Sequence, residues 1–190
     1  MKDNNDLKWK INSREKVFHT PIFDIYSQNE TANAGITGDY LAIAAQDWAV
    51  AVAIHDDKFI MVNQWRHGSN SLTMELPAGL TDEGEDVITA ACRELREETG
   101  YTGGEVRLLG SCNPNPALFT NTVHFVLILN PELTDNQNLD SDEVINYREV
   151  PVKDVIDNFG KGEYVHAFLG TALFLLSRDG IIDDIVRGED

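Results

Sequence analysis

The sequence is short of positive charge. Fifteen Lys and Arg stand against 32 Asp and Glu, for a net charge of −17. That balance argues against a nucleic-acid backbone or an anionic membrane as partner. It also means that an anionic substrate would need bound cations and local arginines to be held. Cysteine is scarce, with Cys92 and Cys112 the only two. A disulfide framework is excluded, and both read as buried free thiols. No apolar run approaches the length of a membrane span. The first ten residues, MKDNNDLKWK, lack the apolar core of a signal peptide. The expectation is a soluble, cytoplasmic protein. No internal repeat or low-complexity tract is present.

What remains is ordinary for a globular chain: 42% apolar and 25% charged residues over 190 positions. That length supports a substantial core. Residues 1–45 read as an N-terminal antiparallel β-hairpin, with Val17–Ser27 as one strand, Pro21 marking it as an edge, and Tyr40–Ala45 returning. Residues 1–12 read as frayed and 28–39 as a turn-rich connection. Residues 46–190 read as the main domain. Strands are expected at Trp48–Ile54, Phe59–Trp65, Thr73–Leu76, Val106–Leu109, Val123–Leu129 and Val144–Val150. Helices are expected near Asp86–Thr99, Pro151–Phe159 and His166–Ser177, with Ile181–Asp190 as a tail. The sum is an α+β arrangement built on a mixed or mostly antiparallel sheet.

The stretch Gly79–Tyr101, GLTDEGEDVITAACRELREETGY, organises the rest. Ile88, Ala91, Cys92 and Leu95 share one side of its helix as a buried stripe. Glu94, Glu97 and Glu98 fall at i, i+3 and i+4, which puts their carboxylates within one turn. Like charges at that spacing repel, and the last turn of a helix disfavours anions. Arg93 and Arg96 are the only cations nearby. Gly100 stands where a glycine ends a helix. Spacing alone leaves two readings open. One is a solvated acidic face. The other is a site for a hard divalent cation, which prefers oxygen ligands. A calcium-type structural loop would need alternating oxygen ligands in a loop, and that pattern is absent.

The stretch resembles the Nudix box, the signature of the Nudix hydrolase family. The box runs Gly, five residues, Glu, seven residues, then Arg-Glu-apolar-any-Glu-Glu-any-Gly-apolar. Gly79, Glu85 and Arg93-Glu94-Leu95-Arg96-Glu97-Glu98-Thr99-Gly100-Tyr101 fill every fixed position. Such a match arises by chance on the order of once in 10⁹ placements. The resemblance implies the Nudix fold, a mixed β-sheet sandwiched between α-helices. It implies hydrolysis of a diphosphate with Mg²⁺, or Mn²⁺ in its place. Glu94, Glu98 and the carbonyl of Ala78 are the implied metal ligands, with Glu97 in support. Arg93 is implied to orient the glutamates, and Gly79 to allow a tight turn beside them.

Further likeness points to the ADP-ribose pyrophosphatase and nucleoside-diphosphate-sugar subgroup. Met74-Glu75-Leu76-Pro77-Ala78-Gly79 resembles its lead into the box, and Gln64-Trp65-Arg66 its strand end. Pro116, fifteen residues after Tyr101, resembles the proline that marks the subgroup, although the usual Pro-Gly is Pro116-Ala117 here. Glu143, in Asp140-Ser141-Asp142-Glu143, aligns best with the family's catalytic glutamate, a base for the attacking water; Asp140 and Asp142 stay open as alternatives. Arg66 is a candidate clamp for the diphosphate. Glu75 reads either as a residue bordering the substrate or as a strand glutamate facing solvent. Trp48 and Phe18 are candidates to stack on a base, against a plain core role. His67 and His166 have no partner in the spacing and read as structural or exposed. The subgroup implies a homodimer through the N-terminal strands. Two rivals remain. One is a Nudix hydrolase for dinucleotides or nucleoside triphosphates. The other is a non-catalytic ligand sensor, which the intact box glutamates disfavour.

Overall fold

A computed structural model describes residues 3–187 of the chain. It divides into two compact units. The first takes the chain up to Asp47 with Cys112–Thr122, and the second takes Trp48–Ser111 with the chain from Val123 onward.

The first unit is a three-stranded antiparallel sheet of β1 (Trp9–His19), β2 (Phe23–Ala32) and β3 (Thr37–Ala45), after a 3₁₀ turn at Asn4–Leu7. The N-terminal hairpin of the sequence is thus present, with one strand more. β1 begins inside the stretch expected to fray. Pro21 lies in the turn between β1 and β2, where the Thr20 hydroxyl accepts the N–H groups of Ile22 and Phe23. Every residue of β1 is exposed, so its sequence carries no alternating buried face to announce it. Past β3, the Ile43 N–H donates to Leu118 O (2.8 Å), and the Thr120 N–H donates to Ile43 O (3.0 Å).

The second unit is a mixed sheet between helices. Its strands are β4 (Trp48–His55), β5 (Lys58–Arg66), β6 (Ser71–Glu75), β7 (Ala78–Leu80), β9 (Glu105–Cys112), β10 (Val123–Leu129) and β12 (Ile145–Pro151). The order is β12-β5-β4-β10-β9, with β6 paired to β5 and β7 to β4. β4 and β10 run parallel, while β4 is antiparallel to β5 and β7. A two-stranded ribbon joins β8 (Tyr101–Thr102) and β11 (Glu132–Leu133).

Alternation along β4 assigns the two faces. Ala49, Ala51 and Ala53 form a buried cluster with Ala90, Ala91 and Leu95 of α1 (Val87–Thr99) and with Val126 and Ile128 of β10. Small residues on both elements let the helix backbone come close to the sheet. On the other face Phe125 meets Phe168 of α3 (Ala167–Arg178) edge-on at 6.1 Å. This is the sandwiched mixed sheet expected of a Nudix fold. α2 (Val152–Asn158) follows β12 directly, with Pro151 at its N-cap. Ile181–Arg187 is a short helix, α4, where a tail was expected; the last positions of that tail lie outside the described residues. No helix among the described residues is long and apolar enough to cross a membrane. Cys92 and Cys112 are free and half-buried.

Candidate active site

α1 is placed by its ends. The Asp86 carboxylate accepts the N–H groups of Ile88 and Thr89 at 3.1 Å each, satisfying two donors of the first turn. Gly100 closes the helix at φ 80°, a conformation that suits glycine. Between these ends the helix does not sort its residues as spacing suggested. Glu98 belongs to the buried set with Ala90, Ala91, Leu95 and Thr99, while Ile88 and Cys92 are only partly buried. The Ala78 N–H, at the start of β7, donates to the Glu98 carboxylate at 3.2 Å. The chain that pairs with β4 therefore lies over Glu98, a long-range packing that helical periodicity cannot report.

Arg93 is the hub of the exposed side. Its Nε and Nη2 reach the two oxygens of Glu85 (3.0 and 2.9 Å), and Nη2 also reaches Leu80 O (3.1 Å). Its Nη1 donates to Glu94 (2.7 Å) and Glu97 (3.1 Å). One guanidinium thus braces three carboxylates from the loop and the helix, and these bonds hold its pKa far up. A Cβ on Gly79 would collide with the Glu94 carboxylate, which would have to leave its place beside Arg93.

Electrostatics separate the glutamates. Burial pushes the Glu98 carboxyl well above the usual range, and the charges of Glu94 and Glu143 push it further. Glu94 is also raised, by burial first, against the pull of Arg93. Glu143 sits in an exposed turn before β12. There its N–H donates to Asp140 O (3.0 Å), and its carboxylate accepts the Asp140 N–H (3.1 Å). Its charge is felt at Glu94, Glu98 and Arg66, so these four groups form one electrostatic neighbourhood.

Arg66 ends β5, and Glu75 ends the antiparallel β6. Arg66 grips Glu75 in a two-pronged pair, Nε to Oε1 at 2.8 Å and Nη2 to Oε2 at 2.7 Å. Glu75 is 2% exposed, not a solvent-facing strand residue. Burial raises its carboxyl, but Arg66, His166 and the Thr73 hydroxyl more than offset this and hold it below the usual range. His166, expected to be without a partner, caps α3. Its Nδ1 accepts the Phe168 N–H at 3.3 Å, and its Nε2 lies 3.5 Å from Glu75. No sequence signal linked His166 to Glu75, since the contact joins distant elements. Trp48 packs edge-on against Phe168 at 6.2 Å. Pro116 belongs to the first unit, where it lines a cavity of about 330 Å³ with Gln28, Tyr40 and Phe119. Phe18 is exposed on β1.

The donor set around Glu98 is oxygen only, as a hard divalent cation prefers. The buried Glu98 carboxylate receives a single protein N–H among the described residues, so it has acceptor capacity to give. Glu94 and Glu97 are turned towards Arg93. Among the described residues no three acidic, His or Cys side chains already converge as a closed metal site. The arrangement suits binding of a cation together with a ligand that supplies the remaining oxygens.

Residues 45–168 match the NUDIX domain family. The chain is 31% identical to the ADP-ribose pyrophosphatase of Bacillus subtilis (strain 168) over 153 residues, 79% of this chain and 82% of that protein. It is 26% identical to the ADP compounds hydrolase NudE of Escherichia coli (strain K12), covering 85% of this chain and 88% of that one. Three other curated relatives are matched over 28% to 59% of their own length. A crystal structure of an ADP compounds hydrolase superposes with a TM-score of 0.81 at 24% identity, over 92% of this chain and 97% of that one. With the box helix, its braced carboxylates and the sandwiched mixed sheet all in place, the chain belongs to the Nudix family.

Proposed function

We propose that this Nudix pyrophosphohydrolase cleaves the diphosphate of a nucleoside diphosphate linked to a second group, with ADP-ribose or a similar nucleoside-diphosphate sugar as substrate. The products are a nucleoside monophosphate and a sugar phosphate. The observation that carries the reading is one neighbourhood containing Glu94, Glu98 and Glu143 with Arg66 among them. The activities for which the relatives are named, on ADP-ribose and on ADP compounds, agree with it.

Glu94, Glu98 and the Ala78 carbonyl would hold Mg²⁺ or Mn²⁺, with Glu97 in support. When bound, such an ion neutralises the diphosphate and lowers the pKa of water. The chain supplies the rest. Arg93 fixes Glu85, Glu94 and Glu97 so that their oxygens stay in register. Glu143 takes the proton as the water oxygen bonds to phosphorus and the anhydride P–O bond breaks. Arg66 faces the diphosphate, its Nε and Nη2 steadied by Glu75. Trp48 borders the base of the substrate in this reading, and Pro116 carries the mark of the subgroup. Residues 1–45 serve as a dimer-forming module and 46–190 as the hydrolase domain. The exposed Trp9, Ile11, Val17 and Phe18 of β1 support a homodimer through this sheet; a monomer by light scattering at micromolar concentration would overturn that part. The site of action in this reading is the cytoplasm.

The test is hydrolysis of a panel with Mg²⁺: ADP-ribose, other nucleoside-diphosphate sugars, NADH and nucleoside triphosphates. AMP and ribose 5-phosphate from ADP-ribose, lost by Glu143→Gln on the order of 10²–10⁴-fold, are expected. Activity only on triphosphates or NADH would discard the substrate class. No turnover with any member would discard the reaction and favour a ligand sensor.

A further inference from the structure

The polar loop between β11 and β12 is fastened to the C-terminal end of α1, where a helix leaves carbonyls without intrahelical partners. The N–H groups of Thr134 and Asp135 donate to Gly100 O (3.2 and 3.1 Å), and the Asn138 N–H donates to Glu97 O (2.8 Å). One side chain does more. Gln137 Nε2 donates to Glu98 O at 2.6 Å and to Ile145 O at 3.2 Å. Both partners are main-chain carbonyls, so only the amide nitrogen can face them and its orientation is fixed.

The two acceptors lie at instructive places. Glu98 is the buried carboxylate of the site. Ile145 is the first residue of β12, paired with Gln64 on the strand that ends in Arg66. The chain between Gln137 and Ile145 contains the Asp140–Glu143 turn. That turn is closed by its own bonds between Asp140 and Glu143. Those bonds shape the turn without setting its distance from α1. The Gln137 amide ties both ends of the segment to the helix that carries Glu94 and Glu98.

We propose that Gln137 is a positioning residue, clamping the Glu143 loop against the end of the box helix so that the base stands at a fixed distance from the buried carboxylates. This rests on the reading of Glu143 as the base. The clamp acts on the chemical step and not on substrate capture, because both its acceptors are main-chain carbonyls already engaged by the amide.

Gln137→Met keeps the length and loses the donor. In the full-length protein with Mg²⁺ and the substrate it hydrolyses, kcat is expected to fall about 10- to 100-fold, the scale of a misplacement near 1 Å, with KM changed less than about threefold. In a Glu143→Gln background the same substitution is expected to cost less than about threefold, since the group it places is gone. Amide hydrogen exchange over 139–144 is expected to quicken in Gln137→Met while α1 stays protected. Arg96→Ala is the comparison variant. It removes the exposed Arg96–Asp135 pair of the same loop and is expected to leave kcat within about threefold. Unchanged kcat in Gln137→Met overturns the proposal. So does a full additional loss in the Glu143→Gln background, or an equal loss in Arg96→Ala, because either means that general loop docking is what matters. If Glu143→Gln itself costs nothing, the base assignment fails first. Quickened exchange over 139–144 would then show a clamp that holds a loop without catalytic purpose, and the positioning role would fall with the base.

Discussion

Glu75 and Glu98 are buried to the same depth, 2% and 3% exposed, and their carboxyls are driven in opposite directions. Burial raises both. At Glu75 the forked bond from Arg66, the nearby His166 and the Thr73 hydroxyl overcome it, and the carboxyl sits below the usual range. At Glu98 the opposing groups are the Ala78 N–H and a weak pull from Arg66. Glu94 and Glu143 add repulsion, and the carboxyl sits well above the range. One glutamate is completed by its own protein and anchors two strand ends and a helix start. The other has little to offset its burial, and a carboxyl shifted this strongly is the kind of group that marks a candidate functional site. Equal burial does not make two glutamates equivalent; their partners do.

The sharpest test exchanges each carboxylate for its amide and looks for opposite signs. Glu98→Gln is expected to cut kcat/KM on the order of 10³-fold, as loss of a group acting at the reacting atoms does. The same substitution is expected to raise Tm in the absence of added metal by about 2–4 °C, because removal of a repelled buried charge relieves on the order of 1 kcal/mol. Calorimetry of the two proteins with EDTA present, alongside the kinetic assay, checks both. A fall in Tm would mean that Glu98 is structurally satisfied, and the contrast with Glu75 would be lost.

Glu75→Gln should behave the other way. It leaves the Arg66 guanidinium facing a neutral amide. Arg66 keeps about a third of its side chain in solvent, so the penalty is expected near the low end for a broken buried pair, about 2–3 kcal/mol. For a chain of this size that is a fall in Tm of about 5–10 °C. With Arg66 no longer steadied, KM is expected to rise more than kcat falls. An unchanged Tm would show that the pair is not an anchor, and a collapse of kcat alone would place Glu75 in the chemistry.

The contrast also shows where the sequence is legible. The box helix was readable to within a residue, because Asp86, the apolar stripe and Gly100 act locally. The central strands followed from runs such as Val123–Leu129, apolar but for His124, and the sandwich from the resemblance to the family. The fate of Glu98 was not readable, since a helical wheel places it beside Glu94 and Glu97, and only the return of the chain at Ala78 buries it. The Glu75–His166 contact joins β6 to the start of α3 with no motif between them. Gln137 carries no signal in the sequence, because its partners are backbone carbonyls, which have no residue identity. β1 was missed for the reverse reason: a strand with neither face buried writes no pattern. Local chemistry and period are thus visible, while burial produced by distant chain is not.

The smallest effect probes how His166 completes Glu75. Burial lowers the His166 pKa, Arg66 lowers it further, and Glu75 opposes them. The imidazole is therefore neutral in the folded protein where the unfolded chain, near pKa 6.5, already binds a proton. Between pH 6.5 and the lower folded value the unfolded state holds more protons, so stability falls as pH falls through that window. Protonation would also end the acceptance of the Phe168 N–H by Nδ1. Glu75 has a separate window. Its lowered pKa contributes stability above about pH 4.5 that is lost as pH falls through the folded value. His166→Asn keeps a side-chain acceptor at the N-cap and removes the titration. Plotted as Tm from pH 7.5 to 4, the variant is expected to decline less than the parent as pH falls below 6.5 towards the lower folded value of His166. Below about pH 4.5 both curves should fall as Glu75 takes its proton. Parallel curves throughout would show that His166 titrates as it does in the unfolded chain, and that Arg66 alone completes Glu75.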